Sequence, residues 1–279
     1  MKLSIIIAHY LPEQFSDKNP LIKTIENIKK QSQKNEIEII IADDGSSYTG
    51  KILEIHSKKI EILNDERDVY YLEGEKLEKF KNSIMVKNDL IKKWVYLPKI
   101  KQCMSKARIT NYAAALSKSD NLFFLDDDNY FLSDNSINEI INLFEKYDFI
   151  VGQIMDNNKK VRKFSSNRVQ GTTLGIKKNI FKKVGGLGTW TENFSCGVDS
   201  DLWMKLYNYF IKNKNLKACY TNKISTYDSY SKRWKKFTKF LQDFKLKKEF
   251  NKLYECKNYK SSRYNYSRKK SLWMENLIE

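Results

Sequence analysis

Residues 121–128 read NLFFLDDD, an apolar run that ends in three consecutive acids. A continuous apolar run of this kind is typical of a strand buried on both faces of a parallel sheet. The carboxylates of Asp126, Asp127 and Asp128 repel one another, and a divalent cation such as Mg²⁺ or Mn²⁺ would offset that repulsion. The alternative is a polar turn that supplies an N-cap to the next element.

Two further apolar runs, at 4–8 and 36–42, lie upstream in the chain. Apolar positions at helical spacing predict helices over about 21–34 and 106–117. This alternation of strands and helices favours a parallel α/β sheet with right-handed crossovers. The run at 36–42 ends in Asp43-Asp44, and ligands bind at the carboxyl ends of parallel strands. Both acid clusters are therefore expected on one ligand-binding edge.

The remaining elements follow from shorter patterns. The sequence predicts strands at 60–63, 149–152 and 171–176, helices at 179–184 and 199–213, and an amphipathic helix across about 228–254. The charged stretch 65–98 predicts helical or loop material over the sheet, and its pattern assigns no element.

A third acidic motif, GVDSDL at 197–202, follows Gly185-Gly186 and an aromatic-rich loop. Asp199 in this motif is a reasonable helix cap. It is equally a candidate general base, because a carboxylate within hydrogen-bond reach takes a proton from a hydroxyl group. Spacing alone leaves the two roles open.

The composition excludes several classes of protein. The chain has 279 residues, of which 41% are apolar and 13% aromatic, too many for a disordered chain. No run approaches about 18 apolar residues, and the N-terminal residues lack a signal-peptide pattern, so neither a spanning helix nor secretion is predicted. The four cysteines are scattered without a CxxC pair, which favours reduced thiols and a cytoplasmic location.

The formal net charge of +17 favours an anionic partner, either nucleic acid, an anionic membrane or a phosphorylated substrate. Residues 229–279 hold 15 of the Lys and Arg residues, 5 of the Asp and Glu residues and 11 of the aromatic residues. Compositional drift is the alternative explanation for this excess.

The tail contains an apolar stripe with lysines between its members. The stripe consists of Tyr230, Trp234, Phe237, Leu241 and Phe244. A helix with this pattern either packs on the rest of the chain or lies on an anionic membrane as a peripheral anchor. The stretch 257–270 is expected to be mobile.

The motifs together resemble those of the family 2 glycosyltransferases. In chain order they are SIIIAHY at 4–10, IIIADDGS at 39–46, Ala107-Arg108, FLDDD at 124–128, Gly185-Gly186-Leu187 and VDSDL at 198–202. The resemblance covers about residues 1–215. It implies the GT-A fold, an α/β architecture with a mostly parallel central sheet flanked by helices, here followed by a basic helical extension.

The resemblance also implies an activity, namely inverting transfer of a sugar from a nucleoside diphosphate donor to an acceptor hydroxyl. It implies a UDP-sugar as donor, Mn²⁺ or Mg²⁺ as cofactor and a bacterial surface glycan or lipid-linked glycan as acceptor. The implied roles in nucleotide binding are Tyr10 packing on the nucleotide base, Asp44 at the edge of that base, Arg108 near the nucleotide and Asp127 at the ribose, with Ala8 and Asp126 as further nucleotide-binding residues. Asp128 is implied as the metal ligand and Asp199 as the general base. Residues 171–174 would shape the donor-sugar pocket.

The implied organisation is a catalytic domain at 1–228 and a basic aromatic helical tail at 229–279. Within the domain, residues 1–128 form the nucleotide-binding half and 129–228 the half for acceptor and donor sugar. The location implied is cytoplasmic, with peripheral attachment to the inner membrane face as an option.

The chain departs from the family pattern near the base. Many members have Glu directly before the base, where this chain has Val198, which affects hydrogen bonding to the acceptor. Some members supply a His to the metal, but this chain has no His after His56, so Asp228 or solvent would replace it. His9 is expected to pack beside the base of the nucleotide rather than act as a catalyst.

Three rival functions are open. A nucleic-acid-binding protein would use the basic charge and the aromatic tail, yet carboxylates at the sheet edge would repel phosphates, so nucleic acid is not predicted as a partner. A nucleotidyltransferase needs a basic, glycine-rich triphosphate loop, which 9–12 do not offer. A noncatalytic glycan-binding relative is the third rival, because of Val198.

Overall fold

The computed structural model describes residues 1–13, 19–31, 37–59, 67–84, 86, 88–100, 103–229 and 239–278. Within these residues the chain forms one mixed sheet with helices on both faces. The predicted α/β fold with a central sheet flanked by helices is confirmed. None of the described helices is both long enough and apolar enough to cross a membrane.

In the ranges that the structure describes, the sheet has eleven strands. They are β1 Leu3–His9, β2 Ile37–Asp43, β3 Lys58–Lys59, β4 Tyr70–Leu72, β5 Ile91–Tyr96, β6 Asn121–Asp126, β7 Asn129–Phe131, β8 Phe149–Asp156, β9 Leu174–Lys177, β10 Ala218–Asp228 and β11 Glu275–Leu277. Their order across the sheet is β11-β10-β8-β9-β6-β1-β2-β5-β4-β3, and β7 pairs with β10.

The centre of the sheet is parallel. Strands β5, β2, β1 and β6 run side by side in the same direction, as the apolar runs predicted for three of them. Sequence patterning misses β5, because Lys92 and Lys93 interrupt it. Lys93 is nevertheless buried in the sheet, where its Nζ lies 3.5 Å from the Glu38 carboxylate on β2.

The second half of the sheet is mixed rather than parallel. Strand β9 inserts antiparallel between β6 and β8, and β10 lies parallel to β8. The predicted strand at 171–176 begins only at Leu174, because Thr173 has a positive φ of 59°. Residues 171–173 form a loop at the carboxyl edge instead.

The described part of the chain forms nine α-helices. They are α1 Pro20–Gln31, α2 Gly50–His56, α3 Gly74–Ser83, α4 Lys106–Leu116, α5 Ser136–Phe144, α6 Lys178–Lys183, α7 Val198–Lys212, α8 Lys239–Leu253 and α9 Tyr259–Arg263. Helices α1, α4, α6 and α7 match the predicted ones. The predicted helix at 228–254 is wrong at its start, because Asp228 ends β10. The predicted strand at 60–63 and residues 230–238 of that helix lie outside the described residues.

Side chains that alternate along each central strand belong to two apolar clusters, one on each face of the sheet. On β1, Ile6 joins the cluster that contains α4, α6 and α7, whereas Ile5 and Ile7 join the cluster that contains α1, α3 and α5. The same alternation explains why β1, β2 and β6 each have a run of consecutive apolar residues. Burial on both faces fixes the register, since a slip of one residue would exchange the two sets.

The C-terminal residues are part of this structure. Phe250, Tyr259, Tyr266 and Met274 are buried in the cluster with α4 and α7, and β11 pairs with β10. The expectation that 257–270 is mobile is therefore wrong, because Tyr259 and Tyr266 of this stretch are core residues. Leu241 and Phe244 on α8 are 69% and 68% exposed, whereas Trp234 and Phe237 lie outside the described residues.

Candidate active site

The carboxyl edge of the central strands gathers the predicted site residues. Strands β1, β2 and β6 end at His9, Asp43 and Asp126, and the N-termini of α4 and α7 approach the same edge. Lys106 opens α4 and its Nζ forms an ion pair with Asp126. The sequence argument that parallel strand ends share one edge thus holds for both acid clusters.

The Asp44 carboxylate is buried at the end of β2. Its Oδ2 accepts hydrogen bonds from Lys99 Nζ at 2.7 Å and from the Ser105 N–H at 2.8 Å. Its Oδ1 is also buried, and among the described residues no donor reaches it. Burial raises the pKa of Asp44 to about 6, although Lys99 and the Ser105 N–H lower it. A buried acceptor of this kind is expensive unless a ligand supplies the donor.

Tyr10 and Ala8 lie beside Asp44. The Lys99 ammonium that binds Asp44 also lies 4.3 Å from the centroid of the Tyr10 ring. Tyr10 and Ala8 are both partly buried, and Ala8 is paired with Ala42 of β2 and Asp126 of β6. The structure therefore brings Ala8, Tyr10 and Asp44 together, as the resemblance implies.

Asp43 differs from its neighbour because its side chain is wholly internal. One oxygen accepts from the Ser46 N–H at 2.8 Å, and the other accepts from Thr49 Oγ1 at 2.8 Å and Trp94 Nε1 at 3.1 Å. All these partners belong to the protein, so Asp43 holds the turn after β2 in shape and leaves Asp44 to face the edge.

Asp127 is the buried member of the acid triplet. Its Oδ2 lies 2.5 Å from His9 Nδ1 and accepts from the Tyr10 N–H at 3.3 Å, and the carboxylate is 1% exposed. His9 Nε2 in turn lies 2.7 Å from the Tyr48 hydroxyl. Asp127 and His9 thereby fix the end of β1 relative to β6. This geometry makes Asp127 a support of the Tyr10 backbone.

Asp126 forms a charged cluster with Lys106 and Asp199. Lys106 Nζ pairs with Asp126 and lies 3.5 Å from the Gly171 carbonyl oxygen. Burial lowers the pKa of Lys106, but the carboxylates of Asp126, Asp199 and Asp128 outweigh it, so the pKa is raised. The positively charged Lys106 ammonium therefore interacts favourably with three nearby carboxylates.

Asp199 lies at the start of α7 and touches the loop before β9. A Cβ built on Gly171 would come within 1.9 Å of Asp199 Oδ1, so only glycine leaves room for this carboxylate. Burial raises the pKa of Asp199, Lys106 opposes that shift, and Asp126 adds to it. Asp199 thus lies against Gly171, at the start of residues 171–174, and close enough to Asp126 for its charge to be felt.

Arg108 points towards a different acid. Its Nε donates to both oxygens of Glu192, at 2.9 and 3.2 Å, and Arg67 lies 3.6 Å from the same carboxylate. Arg67 also binds Ser105 Oγ at 2.8 Å. Ser105 also donates its N–H to Asp44. The cluster of Arg67, Arg108 and Glu192 is therefore next to Asp44.

Asp228, the suggested replacement for a metal-binding His, lies at the end of β10. It pairs with Arg162 at 3.2 Å, and Arg162 also pairs with Asp156 at 2.9 Å. The Asp228 carboxylate is therefore already paired with Arg162.

The donor set for a divalent cation is small. Asp127 faces His9, Asp126 faces Lys106, and Asp128 is the third carboxylate of the triplet and is partly buried. No group of three or more His, Cys, Asp or Glu side chains in the described ranges is arranged to hold a metal. The residues fit a cation that takes one or two carboxylates and completes its shell from a substrate diphosphate.

Sequence reasoning missed three site residues, Lys99, Lys106 and Glu192. Lys106 carried a signal, since a lysine in the first turn of a helix opposes the helix dipole and indicates an acidic partner nearby. Lys99 and Glu192 lie in irregular segments with no motif, so only the tertiary structure brings them to the edge.

Comparison with known proteins supports the fold. No family model and no curated protein matches the chain. Among solved structures, the chain is similar to TarS from S. aureus, with a TM-score of 0.54 and 14% identity over 83% of this chain and 37% of that chain. A crystal structure of TarS 1–349 in complex with UDP-GlcNAc gives a TM-score of 0.52 and 13% identity, over 85% of this chain and 60% of that chain.

A third similar structure is the mannosyltransferase PcManGT from Pyrobaculum calidifontis in complex with GDP-Man and Mn²⁺. It gives a TM-score of 0.52 and 14% identity, over 83% of this chain and 58% of that chain. This chain spans between 37% and 60% of the length of these three matches. It therefore has the GT-A fold expected from its sequence, in common with proteins that were solved with nucleotide sugars.

Proposed function

We propose that the chain is an inverting glycosyltransferase that moves a sugar from a nucleoside diphosphate, UDP in the first instance, to an acceptor hydroxyl. The observation that carries the proposal is the arrangement of the carboxyl edge. An unsatisfied buried acceptor on Asp44, an acid triplet after β6 and the Asp199 carboxylate lie at one edge of the sheet, in a fold shared with nucleotide-sugar-binding proteins.

The nucleotide base would bind between Tyr10 and Asp44. Asp44 Oδ1 is a buried acceptor, and the ring N–H of uracil is a donor of the complementary kind. The partly buried Tyr10 ring offers a flat apolar surface for the base. Ala8 leaves room beside these residues at the end of β1, and the wall of Arg108 and Glu192 closes the other side.

The diphosphate would bind at the acid triplet. Mn²⁺ or Mg²⁺ held by Asp128, with Asp126 as second carboxylate, would offset the charge of the departing nucleoside diphosphate. Lys106 already supplies one positive charge at this position. Asp127 keeps the end of β1 and the triplet in register through His9.

Asp199 would act as the general base. Its carboxylate takes the proton of the acceptor hydroxyl, whose oxygen then forms a bond to the anomeric carbon. The bond from that carbon to the diphosphate oxygen breaks, and the electron pair leaves with the nucleoside diphosphate. Attack from the face opposite the leaving group inverts the anomeric centre without a covalent enzyme intermediate.

The acceptor class follows from the resemblance and the charge. We propose a bacterial surface glycan such as lipooligosaccharide, capsule or O-antigen, presented at the cytoplasmic face of the membrane. Within this proposal, residues 1–228 are the catalytic domain and 229–279 the tail. A noncatalytic glycan-binding role would leave the partly buried position of Asp199 against Gly171 without a purpose.

The proposal is tested by turnover of nucleotide sugars. The protein is incubated with UDP-, GDP-, CDP- and ADP-sugars, Mn²⁺ and glycan extracts, and release of nucleoside diphosphate is measured. We expect release with one nucleotide class that increases when acceptor is added. Absence of turnover with every donor would contradict the proposal.

The pKa of Asp44 makes a prediction about donor affinity. Protonation of Asp44 places the hydrogen on Oδ1, because Oδ2 is held by two donors, and converts the acceptor into a donor. With a pKa of about 6, affinity for a UDP-sugar is expected to be roughly tenfold weaker at pH 5 than at pH 7. Calorimetric titration of a UDP-sugar measures this, since its diphosphate does not titrate in that range.

The matched control is Asp44→Asn, which removes the titrating group. Its affinity is expected to be lower at pH 7 and nearly constant between pH 5 and 7. If the wild type and the variant show the same pH profile, Asp44 does not contact the base.

We propose that α8 attaches the protein to an anionic membrane. Leu241, Phe244, Lys245, Lys248 and Lys252 share one helical face and are all exposed, whereas the opposite face is buried. Exposed apolar residues bordered by lysines are typical of an interfacial helix. Cosedimentation with phosphatidylglycerol vesicles tests the proposal.

The double variant Leu241→Ser, Phe244→Ser is expected to bind such vesicles at least about tenfold more weakly, because burying each of these side chains is worth roughly 1.5–3 kcal/mol. Leu272→Ser, which alters an apolar side chain that is 58% exposed elsewhere in the tail, is the control. Equal binding by both variants and the wild type would contradict membrane attachment through α8.

A further inference from the structure

The C-terminal segment, defined as residues 239–278, contacts both loops that flank Asp199. We propose that this segment is a positioning element for Asp199, acting mainly through Tyr254, Tyr259 and Lys270. The inference rests on the proposed function, because it takes Asp199 as the base. It adds a role for a part of the chain that the sequence motifs do not cover.

The first contact region is the start of α7. The Tyr254 hydroxyl lies 2.5 Å from Asp201 Oδ1, and the Tyr259 hydroxyl lies 2.7 Å from Ser200 Oγ. Leu246 covers Gly197, where an added Cβ would meet its Cδ1 at 2.4 Å. The C-terminal segment therefore holds residues on both sides of Asp199.

Two features make this region dependent on its partners. Gly197 has a φ of 89°, a conformation that favours glycine, and Leu246 packs directly against it. Asp201 is fully buried, and its carboxylate also accepts from Trp190 Nε1 at 2.7 Å and pairs with Lys205 at 2.7 Å. The Tyr254 hydroxyl belongs to this buried network, so the first turn of α7 is linked to α8.

The second contact region is the loop that leads to Gly171. Lys270 is 3% exposed, and its ammonium donates to the carbonyl oxygens of Phe164 at 3.1 Å and Ser166 at 2.8 Å. It also reaches the Arg168 carbonyl oxygen at 3.4 Å. One buried side chain thus fixes three peptide groups of the loop whose end touches Asp199.

Trp203 joins the two regions. Its Nε1 donates to the Gln170 carbonyl oxygen at 2.9 Å, so α7 is tied directly to the residue before Gly171. Trp273 of the C-terminal segment packs edge-on against Trp203, with ring centroids 5.7 Å apart, and stacks on Phe149. The segment therefore supports the start of α7, the loop at 164–171 and the Trp203 side chain that joins them.

Such support matters because base catalysis depends on position. A displacement of about 1 Å in a catalytic group is enough to lower a rate on the order of a hundredfold. The Asp199 carboxylate lies between the two loops, so motion of either loop would move it relative to the acceptor hydroxyl. Asp44 and its partners Lys99 and Ser105 lie outside both loops.

The test compares single hydroxyl deletions. Tyr254→Phe and Tyr259→Phe remove the hydrogen bonds to α7. The control is Tyr147→Phe, which removes a hydrogen bond of 2.6 Å to Glu275, near the end of the sheet opposite the carboxyl edge. All three variants are examined in the full chain by hydrogen–deuterium exchange, by UDP titration and by turnover of a nucleotide sugar.

We expect Tyr254→Phe and Tyr259→Phe to speed exchange in peptides covering 195–203. We also expect them to lower kcat on the order of tenfold to a hundredfold, with the UDP Kd unchanged. Lys270→Met is expected to speed exchange in 162–171. Tyr147→Phe should change neither region nor kcat.

Unchanged exchange at 195–203 in both tyrosine variants, or kcat values equal to that of Tyr147→Phe, would overturn the inference. If the wild type turns over no nucleotide sugar, the proposed function fails, and the exchange comparison still decides whether the segment holds the two loops.

Discussion

Replacing Asp199 by Asn is expected to lower sugar transfer by about 10²–10⁴-fold, the range by which a positioned base accelerates proton transfer. The amide has the shape of the carboxylate but takes no proton from a hydroxyl. Because the Asp199 carboxylate lies against Gly171, whereas Asp44 binds Lys99 and Ser105, affinity for UDP should stay unchanged. Initial rates of nucleoside diphosphate release with saturating donor measure the effect.

The control is Asp134→Asn, which changes an exposed aspartate in the loop before α5. It should retain the wild-type rate and UDP affinity. A variant at Asp199 that keeps full activity would exclude this residue as the base, and one that also loses UDP binding would assign it to the donor site.

Replacing Gly171 by Ala is expected to lower transfer on the order of a hundredfold with little loss of stability. The new methyl carbon would lie 1.9 Å from Asp199 Oδ1 and 2.7 Å from its Cγ, so the carboxylate has to move. A short side chain yields at small cost, but the base then leaves its position relative to the acceptor. Thermal unfolding and kcat, measured on the same preparation, separate the two effects.

A double-variant cycle shows whether Gly171→Ala acts through Asp199. In an Asp199→Asn background the alanine has no base to displace, so it should lower the residual rate little further. Additive losses in the double variant would show that residue 171 acts on the donor sugar directly, as part of the predicted pocket at 171–174.

The parts of the fold that follow from sequence are those with a strong period. Strands β1, β2 and β6 are apolar at consecutive positions because both faces are buried, and this alone indicates the parallel centre. Strand β5 does not follow, because Lys93 is buried in it and compensated by Glu38 from a neighbouring strand. A pair of charges joined across strands leaves no local pattern.

The site could be predicted only to the level of clusters. Sequence places both acid groups at one edge, but adjacent acids in the same group have different surroundings. Asp43 is internal while Asp44 faces the edge, and Asp127 binds His9 while Asp126 binds Lys106. Side-chain direction at a strand end depends on partners far along the chain, such as Trp94 and Lys106. The predicted roles of these residues therefore stay predictions until a ligand is bound.

Sequence reasoning also fails for the tail, where polar residues are buried rather than exposed. Its lysines and tyrosines suggest a mobile, solvated segment, yet Tyr259, Tyr266 and Lys270 are buried. Lys270 is satisfied by backbone carbonyl oxygens rather than by an acid. Burial raises the pKa of Tyr266 and lowers that of Lys270 to about 8, as expected for groups that leave water on folding.

The most direct test of the account is a calorimetric titration of UDP, GDP, CDP and ADP, each with and without Mn²⁺, into the wild type and Asp44→Ala. The account predicts that UDP binds, that Mn²⁺ strengthens the binding, and that Asp44→Ala abolishes it. If none of the four nucleotides binds to the wild type, or if UDP binds equally well to Asp44→Ala, the carboxyl edge is not a nucleotide-sugar site.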